Sequence, residues 1–179
     1  MKAILMSIRP EYVADILNGK KTIEIRKTAP KCDLPIDVYI YCTKNKLHYS
    51  VGALMFNRDD CFKRSVDGTY KYGDSVELMG YLPDYPYDKN NFLNGKVVAK
   101  FTLRKIVYLG GFKYECQCEN SYFIEPSCLS PKEIVDYSKD DSIYAWHISD
   151  LVIFDKPKEL SEFSVNRGPQ SWQYVEVEG

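Results

Sequence analysis

The sequence predicts an α+β fold, a small β barrel with helices at its rim. Three observations lead there. Short apolar or alternating stretches recur along most of the chain, only two segments have helical spacing, and one long Tyr- and Pro-rich stretch over 57–94 interrupts the rhythm. The 179 residues fit one domain, 1–179, with that stretch as an insertion or long loop.

The elements follow in order. Residues 3–8 (AILMSI) are almost continuously apolar and read as a buried strand. Pro10 suits the first helical turn, where its missing N–H costs nothing. Tyr12, Val13, Ile16 and Leu17 share one helical face, and Gly19 closes the helix. From Lys21 to Arg26 the period becomes two, with Ile23 and Ile25 on one face and Thr22, Glu24 and Arg26 on the other. Further strands are expected over 36–41, 51–56, 76–79, 97–104, 144–148, 151–154 and 171–177. Ser130-Pro131-Lys132-Glu133 is a capping box that starts the second helix.

Composition limits the function. The chain is 45% apolar and 27% charged, a globular balance. With a net charge of −1 and a pI of about 6.1, any nucleic-acid contact must come from a local patch or pocket. The N-terminal apolar run is too short for a signal peptide, and nothing approaches a membrane span. A reducing cytosol and six free thiols are therefore expected. Cys116 and Cys118 lack the spacing and the second ligand pair of a zinc knuckle, so no metal is expected, nor any cofactor.

The segment Ile16-Leu17-Asn18-Gly19-Lys20-Lys21-Thr22-Ile23-Glu24-Ile25-Arg26 resembles the N-terminal signature of ASCH domains, in which a helix ends in a glycine and a lysine and a strand with Glu and Arg follows. Gly95-Lys96-Val97-Val98-Ala99-Lys100-Phe101 looks like the family's mid-barrel strand. Tyr144-Ala145-Trp146-His147-Ile148 and Pro169-Gln170-Ser171-Trp172 resemble parts of a longer, often phage-borne subgroup. The resemblance implies a PUA-like barrel with a cleft beside the first helix, and RNA-linked roles. Some small members are amidohydrolases that remove an acyl group from a modified cytidine, with a lysine, a threonine and a glutamate in the site. Lys21 matches the lysine and Glu125 the glutamate by its offset from the second helix, but Glu24 replaces the threonine nucleophile. A carboxylate has no hydroxyl to activate, which turns the expectation from catalysis towards binding.

The candidate site combines an acceptor, Glu24, with the cations Lys20, Lys21 and Arg26. A carboxylate accepts from the exocyclic amine of cytosine, arginine offers a planar fork, and lysine a point charge for phosphate. The same residues also suit a structural ion cluster on a strand face. Trp146 and Trp172 suit base stacking or the core. His147 suits a general base, or an outward residue alternating with Trp146. Arg167, Gln170 and Ser171 suit phosphate contact, or a turn around Gly168 and Pro169. The expected function is binding of RNA or a modified nucleoside. The alternatives are a hydrolase, either ribonuclease or acylcytidine amidohydrolase, and a phage-encoded module that docks a protein on the Tyr-rich insertion.

Overall fold

The computed structural model describes residues 1–44, 53–56, 69–70, 76–79, 93–111, 121–139 and 142–178. The elements are β1 (Lys2–Ile8), α1 (Pro10–Leu17), β2 (Ile23–Arg26), β3 (Ile36–Cys42), β4 (Ala53–Phe56), β5 (Thr69–Tyr70), β6 (Val76–Met79), β7 (Val97–Gly111), α2 (Ile124–Ser127), α3 (Pro131–Ser138), β8 (Ser142–Lys158) and β9 (Trp172–Glu176). Single 3₁₀ turns cover Ser121–Phe123 and Leu160–Phe163.

One mixed sheet runs in the order β2-β8-β7-β3-β1-β9, with β5 also paired to β8, while β4 and β6 form a separate antiparallel pair. Among the described residues only β1 and β3 pair in parallel, because α1 and β2 lie between them in the chain and carry it back to the starting end. The strands at the two ends of the main ladder, β2 and β9, share no backbone pairing among the described residues. The expected α+β class holds, while the sheet of the expected barrel is open among the described residues. Side chains join its two ends: Arg26 reaches Ser7 and Ser171, and the Trp172 indole donates to Thr28 Oγ1 at 3.0 Å. At four residues, β2 is short, and its Arg26 guanidinium takes the Ser7 carbonyl on β1.

Strand β1 is buried on both faces, which explains its unbroken apolar run. Ile4, Met6 and Ile8 join Val38, Ile40, Phe101, Leu103 and Trp146 in the main core, against which α1 lays Val13, Ile16 and Leu17. Each such side chain contributes about 1.5–3 kcal/mol relative to exposure. Ala3 and Leu5 face the other way, with Tyr41, Val97, Phe163 and Val175. A third cluster lies under the helices: Ile23, Ile25, Ile143 and Ala145 pack on Phe123 and Ile134.

The capping box at Ser130 forms in full, and α1 starts at Pro10 as the spacing predicts. Two differences concern the long hairpin. Strand β7 continues to Gly111, and the two strands expected over 144–148 and 151–154 are one strand, β8. Asp150 adopts a left-handed conformation (φ 49°), and the β7–β8 register shifts at four places, so β8 bends through its polar break without ending. The 57–94 insertion lies outside the described residues, apart from β5, β6, Leu93 and Asn94. No described helix is long and apolar enough to cross a membrane.

Candidate functional site

The turn after α1 sets the site. Gly19, at φ 72°, donates to Ile16 O at 2.9 Å, and the amides of Lys20 and Lys21 both donate to Asp15 O at 2.9 and 3.0 Å. The left-handed glycine lets the chain reverse over the helix end and deliver Lys21 to the start of β2. Thr22 then fixes β2 on both sides: its N–H donates to Pro126 O at 2.8 Å, and its carbonyl accepts from Ile148 N at 3.0 Å.

Three charged side chains converge beyond that turn. Lys21 Nζ donates to the Ser127 carbonyl at 2.5 Å and lies 3.2 Å from Glu24 Oε2. It also sits 5.2 Å from the centre of the Tyr12 ring. Arg26 Nη2 lies 3.1 Å from Glu24 Oε1 and donates to Ser7 O at 2.7 Å, while Nη1 donates to Ser171 Oγ at 3.2 Å. Lys21, Glu24 and Arg26 are 2%, 7% and 8% exposed, so these are interior charges and not a solvated strand face. Two cations share one carboxylate, and two backbone carbonyls help compensate them. Interior charges persist only with such partners, since desolvation costs several kcal/mol per ion.

Structural bracing accounts for the Arg26 terminal nitrogens and for Lys21, but not for the whole cluster. Among the described residues, the buried Arg26 Nε and Trp146 Nε1 make no hydrogen bond, and Glu24 Oε2 has only its ion pair with Lys21. The β2–β8 register pairs Glu24 with Trp146 and Arg26 with Tyr144, so all four side chains share one face of the sheet. That face therefore holds two buried donors without a partner among the described residues, beside the carboxylate that Lys21 and Arg26 share.

Neighbouring groups feel the same burial. Burial raises the Tyr12 phenol above its ordinary range, with Glu133 and Glu11 adding to the effect. The Cys128 thiol is raised by burial and by Asp15, against the opposing pull of Lys21 and Lys20. His147 stands opposite Ile23 on the other face from Trp146, and burial, followed by Lys105, lowers its pKa.

The structure thus brings together Lys21, Glu24, Arg26, Trp146 and Ser171. Trp146 is fully buried in the main core, where its ring lies 5.6 Å from that of the half-buried Trp172. Lys20 stays exposed on the turn, Glu125 is exposed on α2, and Arg167 is exposed ahead of β9. The segment after Arg167 is tied to β1: Ser7 Oγ donates to Pro169 O at 2.6 Å, and Ser7 N donates to Ser171 O at 2.9 Å. Gly168 is required there, because a Cβ would meet Tyr41 Cε1 at 2.2 Å. Sequence reasoning missed the carbonyls of Ser7 and Ser127. Ser127 carries no sequence signal, whereas Ser7 is the one polar residue in the apolar run over 3–8.

Solved structures with a similar fold include the ASCH protein of Zymomonas mobilis. The match is 18% identical, with a TM-score of 0.58, and covers 97% of this chain and 87% of that one. A mutant form of the same protein matches at 18% identity and a TM-score of 0.59, covering 98% of this chain and 91% of that one. No curated protein matches the sequence. The family model described as the ASCH domain matches residues 6–158, through β1, the Lys21–Glu24–Arg26 cluster and β8, and the chain belongs to the ASCH domain family.

Proposed function

We propose that the protein binds RNA through a nucleobase that carries an exocyclic amine, held by Glu24, Arg26 and the indole N–H of Trp146. The observation that carries this reading is a pair of buried N–H donors without a hydrogen-bond partner among the described residues, Arg26 Nε and Trp146 Nε1, on the same sheet face as the Glu24 carboxylate. Buried polar groups are nearly always paired, and an orphan costs about 1–3 kcal/mol that a partner recovers. A carboxylate oxygen accepts from an amine such as cytosine N4, and the two N–H groups donate to base acceptors. The cluster's net positive charge favours a ligand with phosphate nearby. Position 24 bears a carboxylate with no hydroxyl to acylate, so the reading is one of binding.

The test is binding of cytidine and of a labelled single-stranded RNA by calorimetry and fluorescence anisotropy at low salt. Glu24→Gln and Arg26→Lys, checked for folding by thermal melting, are expected to weaken both ligands, while the exposed-site variant Lys139→Glu leaves both unchanged. RNA affinity falls as salt rises. Absence of binding to either ligand overturns the reading. Turnover of an acylated cytidine that disappears in Lys21→Ala identifies the hydrolase alternative in its place.

A further inference from the structure

The inner sheet face that carries Glu24 and Arg26 does not end at β8. Register continues it onto β7, where Ile106 stands opposite Trp146 and Tyr108 opposite Tyr144. Directly opposed residues share a face, so Arg26, Tyr144 and Tyr108 form one row across three strands. Exposure rises along that row: Arg26 is buried, Tyr144 half-buried, and Tyr108 61% exposed, more than any other large hydrophobic of the described residues except Met1.

Tyr108 is held in place. Its hydroxyl pairs with Ser142 Oγ at 2.9 Å, and its ring centre lies 5.3 Å from that of Tyr144, which buttresses it from one side. A solvent-facing aromatic braced at both its hydroxyl and its ring has little conformational freedom to lose when a flat group stacks on it. Adjacent strands lie about 4.8 Å apart, which places Tyr108 roughly 10 Å across the sheet from Arg26. A base held at Glu24 and Arg26 does not itself reach that ring, but a neighbouring nucleotide of the same strand does.

We infer that Tyr108, backed by Tyr144, is a stacking platform for the base next to the one held at Glu24 and Arg26, so that the ligand is a single-stranded oligonucleotide and not a free nucleoside. The inference rests on the proposed base site and extends it to a second position. Aromatic side chains on sheet faces stack bases with little regard to sequence. The platform therefore adds affinity without base choice, and selectivity stays with the buried cluster.

The experiment compares wild type, Tyr108→Ala, Tyr108→Phe and the control Tyr122→Ala, an exposed tyrosine beside Phe123 in the helical layer. The probes are a fluorescein-labelled cytidylate RNA hexamer, read by anisotropy, and free cytidine, read by calorimetry. Tyr108→Ala is expected to weaken the hexamer on the order of tenfold, the loss typical of one stacked base, and to leave cytidine unchanged. Tyr108→Phe keeps the stacking ring but loses the hydroxyl brace, so it is expected to weaken the hexamer much less than Tyr108→Ala, and Tyr122→Ala keeps wild-type affinity for both. Unchanged hexamer binding in Tyr108→Ala overturns the platform while leaving the base site standing. An equal loss for cytidine also overturns it, because Tyr108 would then touch the first base. A wild-type protein that binds neither probe removes the base site and the platform together.

Discussion

Arg26 on β2 donates through Nη2 to the carbonyl of Ser7 on β1 at 2.7 Å and through Nη1 to Ser171 Oγ, just ahead of β9, at 3.2 Å, so one guanidinium links the two ends of a sheet whose ladder is open among the described residues. Nη2 also lies 3.1 Å from Glu24 Oε1. The side chain that holds the sheet's ends together therefore also belongs to the candidate site, and bracing and binding share one charge cluster.

That sharing predicts a large stability effect at Glu24. Glu24→Ala leaves Lys21 and Arg26 buried without their carboxylate and is expected to cost about 3–5 kcal/mol. The triple variant Lys21→Met, Glu24→Leu, Arg26→Leu removes every charge together and is expected to cost far less than the sum of the single changes. Urea denaturation of the single and triple variants measures both. A Glu24→Ala loss below about 1 kcal/mol is the value of an exposed pair and contradicts the burial of the cluster.

The thiols divide by environment. Cys42 is fully buried, and burial pushes its pKa far above the ordinary thiol range, so almost no thiolate forms at neutral pH. Cys32 and Cys128 are partly exposed free thiols, and burial and Asp15 raise Cys128 as well. Brief iodoacetamide treatment of the native protein, read peptide by peptide in a mass spectrometer, is expected to label Cys32, to label Cys128 more slowly, and to spare Cys42 until the protein unfolds. Cys61, Cys116 and Cys118 lie outside the described residues.

The α3 cap predicts a pH effect. Ser130 N donates to Glu133 Oε2 at 2.8 Å, and this bond, followed by that from the Ser130 hydroxyl, lowers the Glu133 pKa. A carboxyl with a depressed folded-state pKa stabilises the protein above its unfolded value, here 4.5, and loses that contribution as pH falls through the folded value. Ser130→Ala is expected to cost about 1 kcal/mol at neutral pH. The stability gap between wild type and Glu133→Gln narrows as pH drops below 4.5. Urea unfolding from neutral to acid pH tests both, and a gap that widens with acid contradicts the cap.

By itself the sequence determined what local chemistry decides. Pro10 and Gly19 bound α1, Ser130 and Glu133 start α3, and alternation puts Ile23 and Ile25 on the face opposite Glu24 and Arg26. Period and capping act over a few residues, so they can be read there. The tertiary structure decided what depends on long-range pairing. The open ladder follows from which strands end it, and β8 runs on through Asp150 because β7 supplies partners on both sides of the bend. Whether Lys21, Glu24 and Arg26 were a solvated ion face or a buried cluster also lay beyond local pattern. The answer depended on carbonyls from Ser127 and Ser7, 106 and 19 residues away along the chain. A backbone carbonyl is identical at every residue, so only the fold reveals which ones a buried charge meets.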